Sequence, residues 1–182
     1  LSPAELSTPK PVALSAAGVP VVSAAMQDMY KRAVAAGRAG DMVTVIGDCN
    51  SEAPVYFGHL GAGMVNLSAA PELERTAAFF APSFKRGSLA THGSFSSAMA
   101  FDDAWSDPAQ CQKTEGPLAC EMRLSNASIV VIALGTGDTF SWESFEANYR
   151  KIIDHALAAD VVPVLMTKAD ALESQQGGAS TD

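Results

Sequence analysis

Three short apolar runs constrain this chain more than any other feature: Met42-Val43-Thr44-Val45-Ile46, residues 129–134 and residues 161–166. Each is strand-sized, rich in β-branched residues and apolar at nearly every position, the pattern of a strand buried on both faces. The first ends in Gly47-Asp48 and the second in Gly135-Thr136-Gly137-Asp138, so a glycine-led turn closes each. Residues 88–92, followed by Gly93, read as a further short strand.

Helical spacing fills the intervals. Residues 22–36 place Val22, Ala25, Met26, Met29, Tyr30 and Val34 on one stripe that stops at Gly37. Residues 66–81 carry Leu67, Leu73, Ala77 and Phe80, with Pro71 suited to a first helical turn. A small helix is expected over 96–104. The most regular pattern lies at 141–159, where Phe145, Tyr149, Ile152, Ile153, Ala156 and Leu157 form one face, with Ser141, Glu143 and Glu146 as start signals. Strands that alternate with helices predict an α/β fold with a mostly parallel sheet between helical layers, α/β/α. In such a sheet the turns at Gly47, Gly93 and Gly135/Gly137 converge at the carboxyl edge, where ligands bind.

The length, 182 residues, suits one domain. The expected organisation is a Pro/Ala/Ser-rich arm over 1–21, an α/β domain over 22–174 and a loose polar tail over 175–182. The arm reads as the start of a mature chain after removal of a signal peptide. No apolar run approaches the ~18 residues of a membrane span. With a net charge of -8 and scattered basic residues, the chain repels phosphate backbones, which argues against nucleic-acid partners and anionic membranes.

Cys111 and Cys120 flank a polar, Pro/Gly-containing stretch, and their spacing suits a disulfide that closes a loop. The alternative is two free buried thiols; the polar surroundings favour the disulfide, and with it an oxidising compartment. Cys49 is then the odd cysteine. No Cys/His spacing suits a metal, and Gly135-Thr136-Gly137 lacks the third glycine of a dinucleotide fingerprint, so no cofactor is expected. Asp102, Asp103 and Asp107 read as a solvated face rather than a cation site. Trp105, Trp142, Phe79 and Phe80 are read as core in preference to a sugar platform.

The turn Val45-Ile46-Gly47-Asp48-Cys49-Asn50-Ser51 exposes side chains where a strand stops, as a nucleophile requires. The plain alternative is a strand-ending turn with a small buried thiol. Here the chain resembles the SGNH (GDSL-type) hydrolases over residues 22–173. Strand–Gly47-Asp48-Cys49 matches that family's first block, Thr91-His92-Gly93 its second, and Gly135-Thr136-Gly137-Asp138 its third. Residues 117–124 and 162–170 are similar to secreted bacterial SGNH-like proteins.

The resemblance implies a flavodoxin-like SGNH fold, a secreted bacterial location and ester hydrolysis on glycan or lipid acyl groups. Cys49 would be the nucleophile, and the backbone N–H groups of Cys49 and Gly93 the oxyanion donors. Asp48 and Asp138 would orient the turns. Three departures weaken catalysis. Cys49 stands where the family has Ser. Gly137 stands where it has an oxyanion-hole Asn, a loss that typically costs ~10²–10³ in rate. The family's final Asp-x-x-His block has no counterpart after Met166, so the fold is expected to be truncated at its C-terminal part. His92, beside Gly93, is the one candidate base; His59 and His155 read as loop and helix-surface residues. The alternatives are a non-catalytic assembly subunit, an oligomer or filament joined through the arm, and a carbohydrate-binding domain.

Overall fold

The computed structural model describes residues 20–54, 56–139 and 141–166. Residues 1–19 of the expected arm, the end of the expected domain beyond Met166 and the expected tail over 175–182 lie outside the described residues. Three strands, β1 Ala39–Gly47, β2 Ala127–Ala133 and β3 Val162–Leu165, pair in the order β1-β2-β3, all parallel. The helices are α1 Ala24–Ala35, α2 Gly58–Gly61, α3 Pro71–Phe79, α4 Ala81–Phe84, α5 Pro117–Ser125 and α6 Trp142–Ala158. None of the helices among the described residues is long and apolar enough to cross a membrane.

Side chains alternate across a strand, so each strand feeds two cores. Val43 and Val45 of β1 and Val131 of β2 pack with Phe84 of α4, flanked by Phe57, Leu60 and Phe80. Ile46, Val130 and Ile132 face the other way, onto Leu118 and Met122 of α5 and Ile152 and Ala156 of α6. Helices therefore cover both faces, which is why the strands are apolar without alternation. On α6 the expected stripe is realised: Ile152 and Ala156 are fully buried, with Phe145, Tyr149 and Ile153 beside them. An Ile so placed is worth ~1.5–3 kcal/mol of burial.

Ser23 caps α1 by accepting the Met26 N–H, and the helix runs out at Gly37, whose φ of 96° suits glycine. Its buried stripe is narrower than the spacing predicts: Met29 and Ala33 go inside, whereas Val22 and Val34 stay exposed. Pro71 opens α3 as expected. Ser141 precedes α6, but its side chain makes no capping bond. The sequence reading assigns no element to 117–124; the structure makes it α5, opened by Pro117 and closed by Asn126 in the left-handed conformation.

The strand expected at 88–92 does not form. That segment is a turn with one parallel bridge, Thr91 to Gly47. In its place side chains satisfy the outer edge of β1. Ser83 Oγ accepts the Val43 N–H at 2.9 Å, Ser88 Oγ donates to the Val45 carbonyl at 2.6 Å, and Gly47 exchanges bonds with the Ala90 carbonyl and the His92 N–H. A buried carboxylate holds this segment down. Glu121 on α5 is 1% exposed and receives the Thr44 hydroxyl, a two-pronged Arg86 guanidinium and, at 2.9 Å, the Leu89 N–H.

Cys111 and Cys120 form a disulfide that ties the loop after residue 105 to α5. Ser106 Oγ donates to the Glu115 carbonyl at 2.6 Å, and the Arg123 guanidinium grips the Glu115 carboxylate, holding its pKa down at about 2.

Candidate active site

β1 delivers its last residue, Gly47, to the carboxyl end of the sheet. The chain then folds back in a single 3₁₀ turn, Cys49–Ser51. A Cβ at Gly47 would lie 2.6 Å from Ser51 Cβ and 2.7 Å from the Ala133 carbonyl oxygen, so this reversal needs glycine. Ser51 is buried beneath it.

Asp48 is buried and binds two turns together. Its Oδ1 accepts the Asn50 N–H at 3.0 Å, capping the 3₁₀ turn, and its Oδ2 accepts the Thr136 N–H at 3.3 Å, reaching the turn after β2. Cys49, the next residue, is an exposed free thiol. The third turn arrives through Gly47, whose carbonyl accepts the His92 N–H at 3.3 Å. Gly93 then faces Glu52: a Cβ there would sit 3.7 Å from Oε1.

Behind this lies the turn after β2. Gly135 has φ 143°, a conformation reserved for glycine. Gly137 packs against the 94–95 backbone, and a Cβ there would collide with the Phe95 carbonyl and lie 2.8 Å from the Ser94 oxygen. The absence of an Asn side chain at 137 is thus a packing requirement of this chain. Asp138 is 1% exposed and accepts both the Ser97 N–H, at 2.9 Å, and the Ser97 hydroxyl, at 2.7 Å. Burial raises its pKa, the Ser97 donors oppose the rise, and the nearby Asp48 charge adds to it.

The structure therefore gathers Asp48, Cys49, Gly93, Gly137 and Asp138 at one edge. Among the described residues the backbone N–H groups of Cys49 and Gly93 donate no hydrogen bond. His92 is exposed; its Nδ1 lies against the Gly93 carbonyl and its ring meets Trp105 edge-on. Among the described residues it contacts neither a carboxylate nor Cys49 by hydrogen bond. His59 is exposed on α2. His155 is half-buried against Phe101, and burial lowers its pKa. It lines a groove with Arg38, Asn126 and Asp160, residues that precede the three strands, at the far end of the sheet.

Asp102 and Asp107 each accept a backbone N–H two residues on and so shape their turns. Cys111, Glu115 and Cys120 are the one group of possible metal ligands among the described residues, and the disulfide consumes both thiols. The aromatic expectation is corrected: Phe79, Trp105 and Trp142 are exposed, and only Phe80 joins a core.

Sequence reasoning missed Ser51, Glu52, Ser97 and Thr136. Thr136 Oγ1 is buried with no hydrogen-bond partner among the described residues. A Ser four residues after Gly93 carries no motif, and only the fold shows that it answers Asp138. No family model, curated protein or solved structure matches this chain.

Proposed function

We propose that the Cys49 turn is the nucleophile position of an SGNH-type acyl-ester hydrolase acting on ester groups of glycans or lipids. The observation that carries this reading is the meeting of three turns at one sheet edge, bonded Gly47 to His92 and Asp48 to Thr136, with no hydrogen bond from the Cys49 or Gly93 N–H among the described residues. In this reading the Cys49 Sγ, as thiolate, attacks the ester carbonyl carbon and the two N–H groups receive the oxyanion. The C–O bond breaks, and the alcohol leaves with the proton taken from the thiol. Water then cleaves the thioester, releasing a carboxylic acid and restoring the thiol. His92 is the candidate base among the described residues, and it must turn from the Gly93 carbonyl to serve.

The test is hydrolysis of p-nitrophenyl acetate by the full chain. Turnover that Cys49→Ala abolishes supports the reading; equal rates for the two proteins overturn it. A second reading, a non-catalytic assembly subunit, draws support from β3, a terminal strand of the described sheet whose Val164 and Leu165 are exposed. It expects a dimer or larger species by light scattering, and a monomer counts against it.

A further inference from the structure

The geometry points to Trp105 as a stacking platform for a neutral sugar ring, which makes the substrate class an acylated oligosaccharide. The inference rests on the hydrolase reading and names its substrate. Trp105 is 42% exposed, yet it stands on a fixed support. It ends a 3₁₀ turn capped by Asp102, which accepts the Ala104 N–H at 3.0 Å. The next residue, Ser106, is bonded to Glu115, and the Cys111–Cys120 disulfide anchors the loop beyond Ser106 to α5. On the site side its ring meets that of His92, centroids 5.7 Å apart at 69°. His92 in turn is bonded to Gly47, two residues from Cys49. The indole thus sits at the margin of the candidate site, and its rigidity lowers the ordering cost of a ligand laid on it.

The chemistry of the rim selects the ligand. An indole face takes the apolar C–H face of a sugar ring, as aromatic faces generally take flat apolar partners. Sugar hydroxyls need acceptors, and Asp102 and Asp103, both exposed, belong to the same capped turn as Trp105. The net charge of -8 repels phosphate-bearing lipids, so a neutral glycan fits where an anionic headgroup does not. Phe79, also exposed, belongs to α3, which packs with the opposite core, and serves as a control.

Binding is read by titration calorimetry in Cys49→Ala protein, so that no ester is consumed. The probes are O-acetylated xylo-, manno- and chito-oligosaccharides, with tetramethylammonium chloride as a cationic probe. At least one glycan should bind saturably. Adding Trp105→Ala should weaken that binding at least tenfold, Trp105→Phe should retain part of it, and Phe79→Ala should leave it unchanged. Retained helical content by circular dichroism qualifies each variant. Failure of all three glycans to bind overturns the inference, as does binding indifferent to Trp105→Ala or Trp105-dependent binding of tetramethylammonium alone. Glycan binding that depends on Trp105, in a protein that leaves p-nitrophenyl acetate intact, keeps the platform and removes the hydrolase reading.

Discussion

Ser97 gives both its backbone N–H and its hydroxyl to Asp138, a carboxylate sealed from solvent behind the Cys49 turn. Burial still dominates and raises the Asp138 pKa above 3.8. The folded state then holds a proton that the unfolded state has already released, so stability falls as pH rises through the raised value. We expect unfolding midpoints in urea to show this fall as pH rises above 3.8 in wild type. Asp138→Asn, which cannot ionise, should lack that component. Parallel pH profiles for the two proteins would remove this account of Asp138.

Gly137 offers a test of why the turn after β2 lacks a side chain. A Cβ there meets the Phe95 carbonyl, and the backbone on both sides is fixed by the Asp138–Ser97 bonds. Gly137→Asn, although it introduces the SGNH-like residue, should destabilise the fold by ~1–3 kcal/mol, as overpacking does, and should not raise esterase activity. Unchanged stability by chemical denaturation would show that the 94–95 backbone yields freely.

The Arg86–Glu121 pair pins residues 86–89 to α5 and thereby presents Thr91 and His92 to Gly47. Arg86→Met removes the cation while leaving Glu121 buried. One-sided loss of a buried pair costs ~3–5 kcal/mol, and partial exposure of Arg86 places this case at the lower end. Hydrogen exchange should speed at the Leu89 and His92 amides. A loss below ~0.5 kcal/mol would fall in the range of a surface pair.

The Cys111–Cys120 disulfide closes a short loop, for which chain entropy predicts ~2–3 kcal/mol of stabilisation. Reduction with dithiothreitol, or the double Cys→Ala replacement, should lower the urea midpoint accordingly. It should also weaken the Trp105–His92 contact, seen as a red shift of tryptophan emission. Identical midpoints with and without reductant would contradict this role.

Much of the architecture was legible because burial on both faces writes a strand as consecutive apolar residues, as in Val43-Val45-Ile46 and Ile129–Ile132, and because α6 packs along one stripe. The disulfide was legible from its spacing and polar surroundings. α5 was not, since it buries Leu118, Cys120, Glu121 and Met122 together, and a sealed acid breaks the amphipathic pattern. The segment 88–92 reads as a strand from its place before Gly93, but only one bridge, Thr91 to Gly47, joins it to β1, and the Ser83 and Ser88 hydroxyls serve the rest of that edge. Trp105 looked like core because order usually comes from burial; here caps and a disulfide supply it. At the candidate site, the positions of Asp48, Cys49 and Gly93 could be read from their turns. The partners Ser97 and Thr136 are joined to them only through space.

The serines along β1 also limit how copies of the described sheet could pair. With Ser83, Ser88 and the Gly47 bridge occupying that flank, a second copy has no ladder to join there, and β3 is the one flank of the described sheet at which pairing could occur. A sheet with one open flank can join one neighbour. Two copies meeting β3 to β3 would be related by a two-fold axis, would run antiparallel and would use up both flanks. Association through the described sheet alone would therefore end at a closed pair, and the larger species of the assembly reading would demand a different surface.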